Sequence, residues 1–76
     1  MNKARRKALT EIAEKLEELK EKLDEVKGEE EDAMDNMPES LQESDRYEQM
    51  EEAVDNMDDA SSSLEDAIDM IREAIG

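Results

Sequence analysis

The chain of 76 residues has no cysteine, no histidine and no tryptophan, and Tyr47 is its only aromatic residue. Without cysteine no disulfide can form, and without cysteine or histidine the usual zinc sites are excluded. Cysteine and histidine are also among the side chains that most often serve as nucleophile or general base in enzymes, and the chain has neither. We therefore expect a non-enzymatic protein with no cofactor and no metal, stabilised by long helices, by oligomerisation or by a partner.

Long apolar runs are also missing. No stretch approaches the length that spans a bilayer, and the start "MNKARRKALTEIAEK" lacks the apolar segment of a signal peptide. Carboxylate-rich stretches such as "DNMDD" lack the ligand spacing of a calcium loop. We expect a cytoplasmic protein that does not contact a membrane.

Negative charge is abundant and unevenly placed. Ten basic residues stand against 25 acidic ones, which gives a net charge of −15. Residues 1–28 hold eight basic and seven acidic side chains, whereas residues 29–76 hold two basic and eighteen acidic ones. Such a composition is also typical of disordered chains, so a regular apolar pattern is needed to predict a fold.

Apolar residues recur with alternating spacings of three and four on both sides of the only proline, Pro38. This heptad pattern predicts two helices, each with one apolar seam. The predicted seam positions are Leu9, Ile12, Leu16, Leu19, Leu23, Val26, Glu30, Ala33 and Met37 in the first helix and Tyr47, Met50, Val54, Met57, Ser61, Leu64, Ile68, Ile71 and Ile75 in the second.

Pro38 ends the first helix because it lacks an amide hydrogen and disfavours helical geometry at the preceding residue. Ser40 or Ser44 can cap the second helix. We predict a single all-α domain, residues 1–76: an antiparallel two-helix coiled-coil hairpin that turns near Pro38. Helix one spans about 3–37, the turn about 38–44 and helix two about 45–75, so that facing residue numbers add up to about 80. A helix break at Gly28, giving three helices, is the alternative.

A second apolar row lies beside the seam of helix two, where alanine recurs every seven residues and a methionine widens the surface. Small side chains in a row allow another helix to approach closely, although alanine is also simply a good helix former. We expect this row to be an interface through which hairpins associate into a helical bundle. The candidate interface residues are Ala53, Ala60, Ala67, Met70 and Ala74.

Carboxylates cover the outer positions of helix two. A stripe of fixed negative charge can imitate nucleic-acid phosphates and occupy a basic groove on a nucleic-acid-binding protein, or it can be a solvated surface. The candidate acidic face consists of Glu48, Glu52, Asp55, Asp59, Asp66, Asp69 and Glu73.

The basic residues near the start are not expected to bind nucleic acid directly, since no aromatic side chain is near them to stack on bases. We expect them to pair with acids at the end of helix two or on a neighbouring chain. This basic cluster consists of Lys3, Arg5, Arg6 and Lys7.

The stretch "NMPESLQES" at residues 36–44, with the sequence around it, resembles small acidic proteins encoded in phages and mobile elements of Gram-positive bacteria. The resemblance covers roughly residues 9–75. It implies a helical hairpin and a phage setting, and it transfers no active-site residue.

The sequence leaves two candidate functions. The first is a protein–protein interaction module that acts through a helical apolar face, with another copy of itself as the expected partner. The second is an acidic DNA mimic that inhibits a host defence or DNA-processing protein. The first should tolerate high salt, whereas the second should not.

Overall fold

The computed structural model describes the whole chain, from Met1 to Gly76, as two long antiparallel helices. Helix α1 spans Lys3–Asp35 and helix α2 spans Asp45–Ile75, with a short 3-10 helix at Glu39–Leu41 between them. The two helices pack along their length into a rod with extents of 59 × 14 × 13 Å. The predicted all-α helical hairpin is confirmed.

Helix α1 is closed at both ends by asparagine. The Asn2 side chain accepts a hydrogen bond from the backbone N–H of Arg5 at 2.8 Å, as an N-cap residue does. At the other end the N–H of Asn36 donates to the carbonyl of Asp32. The helix therefore stops at Asp35, two residues before the predicted end, and the chain is extended at Pro38, with ψ of 143°.

Gly28 lies inside α1 without interrupting it, so the alternative of three helices is wrong. Its φ is not positive, as it would be at a left-handed helix end. A Cβ added at Gly28 would meet no atom within 4 Å. The glycine is therefore not required by packing, and the heptad pattern continues across it.

The turn is held by Ser44, the N-cap residue of α2. Its hydroxyl accepts a hydrogen bond from the N–H of Tyr47 at 3.3 Å and donates to the carbonyl of Leu41. Asp45 and Glu48 follow in the first turn of α2, where negative charge is stabilised by the helix dipole. Of the two serines that could cap the helix, Ser44 does so, while Ser40 lies in the 3-10 helix.

Helix α2 packs with the seam that the heptad pattern predicts. Ile68 and Ser61 are buried, each 6% exposed, and the remaining seam residues are half-buried. These half-buried residues are Tyr47, Met50, Val54, Met57, Leu64, Ile71 and Ile75.

Helix α1 is rotated relative to the prediction. Ile12, Leu19 and Val26 were expected in the seam, but they are 46%, 53% and 52% exposed. The row one residue further along takes their place: Ala13 is fully buried, and Lys20, Lys27 and Met34 are half-buried. The leucine row at positions 9, 16 and 23 belongs to both arrangements and remains half-buried. The predicted seam of α1 is therefore wrong for every second position.

The rotation goes with a shift along the helix axes. Asp24 contacts Ser61 and Lys27 contacts Asp58, and both pairs of residue numbers add up to 85, not 80. The longer side chain of Arg72 reaches Glu17, a pair that adds up to 89. We use 85 as the register, because Ser61 has the shortest side chain of these contacts. Lys27 can occupy a seam position because its aliphatic stem covers α2 while its ammonium group reaches Asp58. In this register residues 1–8 extend beyond the end of α2, and all of them are exposed.

Replacing the unneeded glycine should strengthen the hairpin. We expect Gly28→Ala to raise the free energy of unfolding by up to about 1 kcal/mol, because alanine loses less backbone entropy in a helix and meets no neighbour here. Urea unfolding followed by circular dichroism measures the change. A destabilised variant would show that α1 is broken at Gly28.

A matched pair of leucines tests the rotation of α1. We expect Leu16→Asp, at a half-buried position, to destabilise the hairpin by roughly 2 kcal/mol or more, because it places a charge between the helices. Leu19→Asp, at an exposed position, should change the stability by only about 0.5 kcal/mol in dilute solution. Equal losses in thermal unfolding would contradict the rotation.

Candidate functional site: an apolar flank and an acidic face

One side of the hairpin, here called the polar flank, joins the two helices through charged and polar side chains. The Arg72 guanidinium binds Glu17 at 2.6 Å, and the Lys27 ammonium binds Asp58 at 2.9 Å. Between them the Ser61 hydroxyl donates to the carboxylate of Asp24 at 2.6 Å. These contacts join α1 to α2 in one register along the helix axes and with one face of each helix turned towards the other.

The hydrogen bonds of the polar flank keep its groups charged. The pKa of Asp24 lies below its usual value, chiefly because its carboxylate accepts a hydrogen bond from Ser61 and then because it accepts one from Lys20. The bond to Asp58 raises the pKa of Lys27, and the bond to Glu17 raises the pKa of Arg72. In Asp24, Lys27 and Arg72 the hydrogen bond thus favours the charged form, which strengthens the contact between the helices.

The opposite side of the hairpin is apolar on both helices. In an α-helix two residues that differ by two positions lie about 160° apart around the axis. Leu19 is two positions from Glu17, and Ala60 is two positions from Asp58. Because Glu17 and Asp58 lie on the polar flank, Leu19 and Ala60 lie together on the other side. We call this side the apolar flank: Ile12, Leu19 and Val26 of α1, with Ala53, Ala60, Ala67 and Ala74 of α2.

The apolar flank is built in layers. Residues whose numbers add up to about 85 lie at the same height, as the contacts of Asp24 and Lys27 show. Along a helix each residue rises by about 1.5 Å. A pair of residues, one from each helix, whose numbers add up to 86 is therefore level to within about 1.5 Å. Each large side chain of α1 therefore has an alanine beside it on α2. The layers are Ile12 with Ala74, Leu19 with Ala67, Val26 with Ala60, and Ala33 with Ala53.

The candidate interface residues are placed on or next to this flank. Ala60, Met70 and Ala74 are exposed, with Met70 at 67%, whereas Ala53 and Ala67 are half-buried. The row beside the alanines carries no charge and separates them from the carboxylates. This uncharged row consists of Gln49, Asn56, Ser63 and Met70.

Sequence reasoning missed half of the apolar flank, because Ile12, Leu19 and Val26 were assigned to the seam. No signal in the sequence alone could have found them, because Lys27 is recognised as a residue between the helices only from its contact with Asp58 in the 85 register. Ala13, next to Ile12 in the chain, is fully buried between the helices, where a small side chain allows them to approach closely.

The acidic face lies on the outer surface of α2. Its seven residues, defined above, are all exposed, and none of them takes part in an ion pair. With spacings of three and four they form a stripe from Glu48 to Glu73 in which Ser62 is the one uncharged position. The stripe is therefore available for contact with a cationic surface, and it faces away from the apolar flank.

The basic cluster projects beyond α2. All four of its residues are exposed, and the structure shows no ion pair for any of them, so the expected pairing with acids at the end of helix two is not seen within the chain. Residues 1–8 have no part of α2 at their height in the register of Asp24 and Ser61.

The hairpin contains no pocket, and no group of three or more acidic side chains is arranged to hold a metal ion. Neither helix is long and apolar enough to cross a membrane. No protein-family model matches the chain, and comparisons with curated proteins and with solved structures return no significant match. Because the hairpin has no pocket, the candidate site is a surface.

The hydrogen bonds of Asp24 predict a pH-dependent stability. Its pKa in the folded chain is below the unfolded value, so its contribution is present above about pH 4 and is lost as the pH falls through the folded pKa. We expect Asp24→Asn to lower the free energy of unfolding at pH 7, and this difference from the parent chain to shrink at pH 3.

Urea unfolding at the two pH values measures the effect. As a control, Asp66→Asn removes a carboxylate that has no ion-pair partner and should not lower the stability at pH 7. A difference between Asp24→Asn and the parent chain that stays constant with pH would contradict the role of Asp24.

Proposed function

We propose that the protein is a non-enzymatic interaction module of the cytoplasm that binds another protein through its apolar flank. The observation that carries this proposal is the exposure of Ile12, Leu19 and Val26, about half of each side chain, in one row along α1. Single exposed apolar residues are ordinary, but a continuous row beside an alanine row is typical of a surface that another protein covers.

The shape of the flank favours a helical partner. Alanines that recur every seven residues along α2 leave room for a helix to approach closely, and the large side chains of α1 form a ridge beside them. The uncharged row next to the alanines allows the contact to extend without burying a carboxylate. A partner helix could therefore lie along the flank and contact both α1 and α2.

The acidic face supports a second proposal, inhibition of a basic DNA-processing or defence protein by imitation of DNA. The supporting observation is that its seven carboxylates are exposed and free of ion pairs on one continuous surface. The resemblance of residues 36–44 to phage-encoded proteins is compatible with either role and suggests a phage-infected cell as the setting.

Two variants separate these functions in an affinity pull-down from bacterial lysate. We expect Leu19→Glu to lose the proteins that the parent chain captures, because it puts a charge on the apolar flank, while the double variant Asp59→Asn/Asp66→Asn keeps them at low and high salt. Circular dichroism confirms that both variants stay helical.

The opposite pattern would support DNA mimicry instead. In that case the captured protein would be released by salt or by duplex DNA, the double variant would lose it and Leu19→Glu would retain it. A lysate protein bound equally by all three chains would contradict both proposals.

A further inference from the structure

We infer that the apolar flank is covered by a second copy of this chain, so that two hairpins form a four-helix bundle with twofold symmetry in which α1 of each copy lies on α2 of the other. This inference rests on the proposed function and names the partner of the same surface. Three properties support it: the sizes of the side chains on the flank, the charges beside the flank and the accessible surface area of the hairpin.

The side-chain sizes on the flank are self-complementary. Each copy presents a ridge of large residues on α1 and a row of alanines on α2, level with each other. A twofold axis parallel to the helices keeps every residue at its height and places the ridge of one copy over the alanine row of the other. Leu19 then lies over Ala67 of the second copy and Val26 over Ala60, in both halves of the interface. Stacking α1 on α1 would instead set ridge against ridge and leave the alanines facing each other.

The charges beside the flank favour the same arrangement. Of the three charged residues in the row that borders the ridge on α1, Lys15 and Lys22 are basic and Glu29 is acidic. Both lysines are exposed and have no ion-pair partner within the chain. In the register of Asp24 and Ser61, Lys22 is between Asp59 and Asp66 in height, and Lys15 is between Asp66 and Glu73. With α1 on α2 of the second copy, each lysine borders carboxylates of its partner. With α1 on α1, lysines would face lysines and the two acidic faces would be brought together.

The accessible surface of the hairpin is larger than that of a compact monomer, because the molecule is a thin rod. Its accessible surface is 5885 Å², whereas a compact monomer of 8.7 kDa exposes about 4,700 Å². The excess of more than about 1,000 Å² exceeds the roughly 800 Å² that each partner buries in a standard interface. A second hairpin on the apolar flank would cover area of this size and would leave both acidic faces on the outside.

Two substitutions on opposite sides of α2 test self-association by sedimentation equilibrium. We expect the parent chain to sediment with twice the mass of one chain, and Ala60→Glu to raise the dimer dissociation constant by at least about tenfold, since it buries an unpaired charge in both halves of the interface. The matched control Ser62→Glu adds the same charge on the far side of α2 and should remain a dimer. Both positions are exposed in the single hairpin, so both variants should keep their helicity.

The arrangement of the copies is tested with cysteines, which the natural chain does not contain. Leu19→Cys in one chain and Ala67→Cys in a second, differently tagged chain should form the mixed disulfide in preference to either like-with-like product when the chains are mixed and oxidised. The cysteines are placed on separate chains so that no bond can form within one hairpin. A mixed product no more abundant than random pairing gives would overturn the arrangement of α1 on α2.

The outcomes separate this inference from the proposed function. A monomeric parent chain, or a dimer that Ala60→Glu leaves intact, would overturn self-association through the apolar flank. If the parent chain is monomeric and Leu19→Glu still loses a different captured protein, the flank docks that protein and the proposed function stands. If neither self-association nor capture depends on the flank, both proposals fail.

Discussion

Two packed helices can cover only one side of each other, and α1 has more apolar rows than α2 can cover. The leucine row at 9, 16 and 23 faces α2, and a second row must either join it in the seam or remain exposed. The structure places Ala13 and Lys27 in the seam and leaves Ile12, Leu19 and Val26 outside. This rotation of α1 determines the surface of the molecule, because the hairpin then has an exposed apolar flank in addition to its apolar seam.

The distribution of charge agrees with that choice. Ion pairs of Lys27 and Arg72 lie on the polar flank, where they join the helices, and the carboxylates of the acidic face lie on the outside of α2. The alanine row and its uncharged neighbours separate those carboxylates from the apolar flank. A chain with net charge −15 thus has a surface at which close approach of another protein brings no carboxylate of α2 into the contact. The acidic face, which repels other acidic surfaces, and the apolar flank, which attracts other apolar surfaces, therefore lie on different sides of the hairpin.

Much of the fold was predictable from the sequence, because local chemistry determines it. The heptad pattern predicted two helices, Pro38 predicted the turn, and continuity through Gly28 followed from the unbroken pattern. The rotation of α1 was not predictable in the same way. Ile12 and Ala13 are adjacent, and the row that contains either of them can accompany the leucines in the seam. The row of Ile12 is the more apolar, so apolarity alone predicts that row, whereas the structure uses the row of Ala13. The close approach at Ala13 and the contact of Lys27 with Asp58 favour the row of Ala13, and both depend on the three-dimensional register. The acidic face, in contrast, follows directly from helical spacing.

The apolar flank exists only if α1 is rotated in this way, and nuclear Overhauser effects between methyl groups measure that rotation. They are best recorded on the Ala60→Glu variant, so that contacts between copies do not interfere. If α1 is rotated in this way, the methyl group of Ala13 should show effects to the seam side chains of α2, and Ile12 should reach no residue of α2 beyond the alanine beside it, Ala74. Effects from Ile12 to the seam residues of α2, with Ala13 showing none, would contradict the rotation and would return Ile12 to the seam.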